Sequence, residues 1–271
     1  MADQKVHEIA TKTVLYTLPG MDGVEVRAGV EYHCTSDGPL TMDLYYPPRR
    51  EAGAALPAVI FVTGYPDPGA RRMLGCAARE MGSYVSWARL VAASGMAAIA
   101  YENAQPGDVT AVFEYVGTNA AALGIDAARV GVWSCSGSGP MGLSVLMQDG
   151  SHAPRCGALL YPYTMDLENA AGTAAAAKQW GFANACAGKS VATFPEDRPL
   201  FVARAGRDQM PGLNDTLDAF VLAALRRNLP ITITNHATAP HAFDLFDDSD
   251  ATRNTIAQVL AFFRFQLRQA G

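Results

Sequence analysis

Short apolar runs alternate with helix-length stretches along most of this chain. AVIFVT (58–63), MAAIAY (96–101), RVGVWS (129–134), GALLYPY (157–163), PLFVARA (199–205) and PITITN (230–235) each read as a strand. Between them, residues 78–94, 107–124, 137–148, 212–228 and 251–268 have the length and apolar content of helices. Ahead of this series, 23–34 and 40–46 alternate as an opening pair of strands, with SDGP as the turn between them. Strands alternating with helices predict right-handed crossovers and a mostly parallel sheet covered on both faces, an α/β fold.

One stretch breaks the rhythm. Residues 164–198 are too long for a simple connection and are rich in alanine, with Trp180 and Phe182 as large apolar groups. They are expected to form a small helical cap over the sheet edge, an insertion within a single domain spanning 1–271. The first ten residues are expected to be loose.

Composition narrows the function classes. The chain has 271 residues, 49% of them hydrophobic, enough for a sizeable core. A net charge of −5 with sparse charged residues leaves no basic face, which argues against nucleic acid as a partner. Five scattered cysteines contain no C-x-x-C, so neither a zinc site nor a disulfide framework is indicated. No apolar run approaches a membrane span, and MADQKVHEIATKTVLYTLPG lacks the apolar stretch of a signal peptide. A cytoplasmic protein is expected, with a second copy of the chain as a candidate partner.

The chemistry concentrates in VWSCSGSGPMG (132–142). Gly137, Gly139 and Gly142 stand at the G-x-G-x-x-G spacing of a dinucleotide loop, yet several strands precede them. The next strand ends in LLYPY, and no acid appears until Asp166. A nucleophile turn is the better reading. There the chain folds so sharply that small residues are needed two before and two after the nucleophile. Ser134 fails with Val132 before it, Cys135 with Trp133 before it and Ser138 with Pro140 after it. Ser136 passes, flanked by Ser134 and Ser138 with Gly137 adjacent. A plain structural turn without chemistry is the remaining alternative.

A serine nucleophile needs a base, and the base needs an orienting acid. Asp208 lies three residues past strand 199–205, and His241 lies in the loop after strand 230–235, so the order Ser, Asp, His runs along one edge of the sheet. Asp208 could instead cap the following helix. Asp215 and Asp218 read as acids of that helix, favoured by its dipole. His236, at the strand end itself, reads as a satisfied, half-buried histidine, whereas His241 reaches further over the edge. For an oxyanion, the N–H of Gly137 is one donor. The loop TGYPDPG offers Tyr65 as the other backbone donor, because Pro66 and Pro68 have no N–H. Tyr163, Trp180 and Phe182 are candidate walls of a substrate pocket.

With LTMDLYYPP, PAVIFVTGYPD, RVGVWSCSGSG, FVARAGRDQMPG and APHAFDLF in these places, the chain resembles the α/β-hydrolase superfamily over residues 25–268. Within it the likeness is to the serine esterase/lipase and dienelactone-hydrolase-like branches. Dienelactone hydrolases proper carry cysteine where this chain has serine, and Thr63-Gly64 stands where many members have His-Gly. The resemblance implies Ser136 as nucleophile, His241 as base, Asp208 as acid, and Tyr65 and Gly137 as oxyanion donors. It implies hydrolysis of small-molecule esters with no metal or organic cofactor. A peptidase or amidase with the same triad, and a silent ligand-binding protein of the same fold, are the other readings.

Overall fold

In a computed structural model, residues 6–51, 53–168 and 170–268 are described. Eight strands form one open sheet in the order β1-β2-β4-β3-β5-β6-β7-β8. They are β1 Glu25–Thr35, β2 Gly38–Tyr46, β3 Leu56–Phe61, β4 Ala97–Tyr101, β5 Ile125–Cys135, β6 Cys156–Leu160, β7 Leu200–Ala205 and β8 Ile231–His236. β1 and β2 pair antiparallel, and β2 runs antiparallel to β4. From β4 through β3 to β8 every neighbour is parallel. The central strands β4 and β6 are buried at every residue. Both of their faces are covered, which is why AAIAY and CGALL are continuous apolar runs rather than alternating ones.

Two hydrophobic layers account for that cover. On one face, Trp87 from helix Gly82–Ala93 and Phe263 from helix Asp250–Gln266 pack with Phe61 and Trp133 of the sheet. On the other, Val112, Leu143 and Phe220, from helices Asp108–Thr118, Gly139–Leu146 and Leu213–Arg226, pack against Ile60, Val132 and Val202. β4 and β5 lie on opposite sides of β3, so the strand order reverses there. In open sheets of this kind the crevice beyond the carboxyl ends at such a reversal is where ligands sit.

Some boundaries differ from the expectation. The strand over 157–163 stops at Leu160 because Tyr161 adopts φ +37°, which the ladder cannot accommodate. The loop after β3 turns directly into a helix, Asp67–Leu74, with Pro68 in its first turn, where a missing N–H costs nothing. Residues 1–5 lie outside the described residues, but Glu8–Thr11 is a helical turn with Ala10 buried, not a loose tail. Of 164–198, helix Thr173–Trp180 and a 3₁₀ turn, Val191–Thr193, are regular. The alanine run makes that helix. The Asp166 carboxylate starts it by accepting the N–H groups of Gly172, Thr173 and Ala174, each at 2.8 Å, and Gly181, at φ +76°, stops it.

Candidate active site

Ser136 follows the last residue of β5 directly and has φ +50°. A non-glycine residue in that region is strained and needs its surroundings to hold it. Here the chain turns from strand into a 3₁₀ turn, Ser136–Ser138, and then into helix Gly139–Leu146, which leaves the Ser136 side chain at the strand tip. The three glycines serve this turn. A Cβ on Gly137 would collide with the Tyr65 hydroxyl and the Phe182 ring. One on Gly139 would meet the Tyr163 carbonyl, and one on Gly142 the Ser134 hydroxyl. Gly64 approaches so closely that its Cβ would sit 2.8 Å from the Gly137 carbonyl. Close packing of the turn against its neighbours thus explains the glycine spacing without a pyrophosphate.

Ser136 Oγ lies 2.9 Å from His241 Nε2. His241 Nδ1 lies 2.6 Å from Asp208 Oδ2. Asp208 follows β7 and His241 follows β8, so three separate strand ends converge. The Asp208 carboxylate is fully removed from solvent, while the His241 ring is 27% exposed. Asp208 Oδ1 accepts the Met210 N–H at 2.9 Å, which fixes the carboxylate's orientation. The other candidates stand apart. His236 is buried, with Nε2 3.0 Å from the Thr252 hydroxyl and 3.1 Å from Asp247. Asp218 pairs with Arg204 at 2.7 Å, and Asp215 sits in the first turn of its helix.

Tyr65 is beside the turn but not in the manner expected. Its N–H donates to the Thr63 hydroxyl at 3.1 Å, and the Gly64 N–H donates to the Ser138 hydroxyl at 3.1 Å. Thr63, placed at the strand end, closes a local side-chain turn two residues on, a competition that the backbone count alone does not reveal. What Tyr65 presents to Gly137 is its phenol. Burial pushes that phenol above the usual tyrosine range, so it stays protonated.

An apolar cavity of about 220 Å³ opens beside Ser136 and His241. Its walls include Tyr65, Trp133 and Tyr161 from the strand ends, with Ile9, Leu74 and Met81 closing the side. The expected wall residues are elsewhere. Tyr163 is buried with its hydroxyl on the Pro211 carbonyl at 3.0 Å, Phe182 packs on Tyr65 and Tyr163, and Trp180 is 40% exposed. The Phe182 ring packs close over Gly137, whereas the cavity is lined by Ile9 of the amino-terminal turn. Ile9, Leu74 and Met81 are scattered and belong to no motif, so nothing in the sequence marked them. A larger depression of about 830 Å³ near Arg49 and Arg50 lies by the amino ends of β3 and β5, remote from the nucleophile.

No protein-family model matches the chain, and no curated protein matches it. Solved structures do. EstE1, a thermophilic and thermostable carboxylesterase cloned from a metagenomic library, superposes with a TM-score of 0.66 at 17% identity, covering 96% of this chain and 92% of its own. Esterase Est22 gives 0.64 at 17%, covering 89% and 80%. Esterase 2 of Thermogutta terrifontis, in a form phosphonylated by sarin, gives 0.63 at 17%, covering 94% and 100%. Among the described residues, no helix is long and apolar enough to cross a membrane. With its strand order, its strained serine after β5 and these neighbours, the chain has the α/β-hydrolase fold.

Proposed function

We propose that this chain is a serine hydrolase cleaving carboxylic esters with small or short acyl groups. The observation that carries the reading is the unbroken Ser136–His241–Asp208 relay at 2.9 and 2.6 Å, with the serine in a strained turn. His241 Nε2 takes the proton as Ser136 Oγ attacks the ester carbonyl, then delivers it to the departing alcohol. Asp208 holds the Nδ1–H and stabilises the imidazolium as it forms. Water, activated by the same histidine, releases the acyl group. Residues of this chain and water account for every step, so the reading calls for neither a metal nor an organic cofactor.

The oxyanion receives the Gly137 N–H and, in place of the Tyr65 N–H that Thr63 has taken, the Tyr65 hydroxyl. Tyr65→Phe is expected to lower kcat by roughly 10- to 100-fold with little change in KM, the loss typical of one oxyanion donor at its lower end. Steady-state kinetics on p-nitrophenyl acetate check this. A fully active Tyr65→Phe would return the role to a backbone donor.

The cavity exceeds the roughly 150 Å³ void known to hold benzene, which suits a short acyl chain or a single ring. Segment 164–198 serves as a cap-like insertion in one domain, with the Ala183 N–H on the Gly64 carbonyl at 2.8 Å tying it to the site. Five unpaired cysteines suit a reducing cytoplasm. The deciding experiment pairs a phosphonate probe with matched substrates. Mass spectrometry should find the phosphonyl group on Ser136, and the ester should turn over while the matched amide does not. Faster amide turnover would favour a peptidase, and no adduct with no turnover would leave a ligand-binding protein.

A further inference from the structure

Four described non-glycine residues have positive φ, and three of them, Ser136, Tyr161 and Ala242, gather at the site. Ser136 is accounted for as the nucleophile and Ala242 by the tight turn after His241. Tyr161 is not. It follows β6, where its strained backbone swings the ring out of the sheet and against the His241 imidazole, with centroids 4.9 Å apart at 64°. The ring also meets Phe243, at 5.3 Å. Its hydroxyl donates to Asp244 Oδ1 at 2.7 Å, and Asp244 Oδ2 accepts the Trp87 indole N–H at 2.7 Å. Asp244 is a buried carboxyl only three residues after His241. Burial raises its pKa, and the two donors oppose the rise. A buried acid is costly unless its oxygens are hydrogen-bonded, and both oxygens of Asp244 accept, one from Tyr161 and one from Trp87.

Asp208 fixes one ring atom of His241. A single hydrogen bond leaves the imidazole free to tilt about that contact, and tilting carries Nε2 away from Ser136. Tyr161 closes off that motion, and a phenylalanine packed there would lack the anchor to helix Gly82–Ala93 that Asp244 and Trp87 provide. We infer that Tyr161, pinned by Asp244, is a positioning residue that holds the His241 ring in line with Ser136 Oγ. The inference rests on the serine-hydrolase reading for its kinetic consequence, but not for the contact itself.

The test compares Tyr161→Phe, Tyr161→Leu and Asp244→Asn. An amide at 244 can still accept the Trp87 N–H through its oxygen, but its NH₂ then turns the Tyr161 hydroxyl from donor to acceptor and replaces the bond to a carboxylate with a weaker neutral one. On p-nitrophenyl acetate, kcat should fall about tenfold in Tyr161→Phe and Asp244→Asn and roughly 100-fold in Tyr161→Leu, since small misplacements cost up to that much, with KM within about twofold in Tyr161→Phe and Asp244→Asn, which keep the ring in the cavity wall. The second readout needs no turnover. The His241 ring cross-peaks in ¹H–¹³C NMR, assigned by their loss in His241→Gln, should be single in the native protein and broadened or doubled in the variants. A purely structural role would lower Tm while leaving kcat of the folded protein and the His241 signals unchanged, and that result would overturn the inference. If Tyr161→Leu does not fold, native kcat and native His241 signals in Tyr161→Phe and Asp244→Asn overturn it equally. If the native protein hydrolyses no ester, the hydrolase reading fails and the NMR signals alone decide the positioning role.

Discussion

Ser136→Ala is expected to lose roughly 10⁴-fold or more in kcat on a simple activated ester, the scale on which removal of a nucleophile acts when triad members work as a unit. Ser134→Ala and Ser138→Ala should keep most of the activity, and the contrast is what gives the experiment its force. All three serines lie within five positions of one turn, but the two outer ones are buried in other surroundings. Ser134 is fully buried, with its hydroxyl turned toward Gly142. Ser138 is buried and accepts the Gly64 N–H, so its loss leaves that buried donor unpaired and should cost about 1–3 kcal/mol of stability and slightly loosen the loop after β3. Ser136 alone has His241 at hydrogen-bond distance. Rates on one ester for the three purified variants, with circular dichroism to confirm folding, decide the matter. Near-native turnover in Ser136→Ala would remove the nucleophile assignment.

The same turn shows why so much was legible from sequence. Strands such as β3 (LPAVIF) and β6 (CGALL) are apolar because the sheet is covered on both sides, so composition and length mark them without any alternation. The constraint on Ser136 is steric, and sterics leave a residue-size signature: Ser134 and Ser138 are small where Val132, Trp133 and Pro140 are not. Asp208 and His241 were readable because each follows a recognisable strand. What was hidden depends on side-chain competition or on distant segments. The Tyr65 N–H is lost to Thr63 two residues away, a choice between donors that spacing does not determine. Ile9, Leu74 and Met81 meet beside Ser136 only after the chain has folded around the sheet. Tyr163 and the aromatic residues of 164–198 are natural candidates for a pocket by composition, but Phe182 and Tyr163 are spent on covering the turn, and Trp180 is 40% exposed.

Asp208→Asn is expected to lower kcat by roughly 10²–10⁴-fold, toward the loss seen when a serine-protease triad acid becomes an amide. The geometry explains the size. Asp208 accepts on both oxygens, Oδ1 from the Met210 N–H and Oδ2 facing His241 Nδ1 at 2.6 Å. An amide has one acceptor to offer. If its oxygen stays on Met210, its NH₂ faces Nδ1 and favours the tautomer with the proton on Nε2, which cannot take one from Ser136. If it flips, the NH₂ is pressed against the Met210 N–H instead. Because the carboxylate is fully buried, water cannot repair either arrangement. Asp215→Asn and Asp218→Asn follow the same strand and serve as the comparison. Asp215 interacts with the helix dipole, and Asp218 with Arg204 across a half-exposed pair, so each should shift stability by less than about 1 kcal/mol and leave kcat nearly intact. The measurement is kcat for the three variants on one ester, alongside Tm. Full activity in Asp208→Asn with collapse in Asp215→Asn or Asp218→Asn would mean that the acid has been misplaced. A loss confined to Asp208→Asn, with all three variants folded, ties the rate to the carboxylate behind His241.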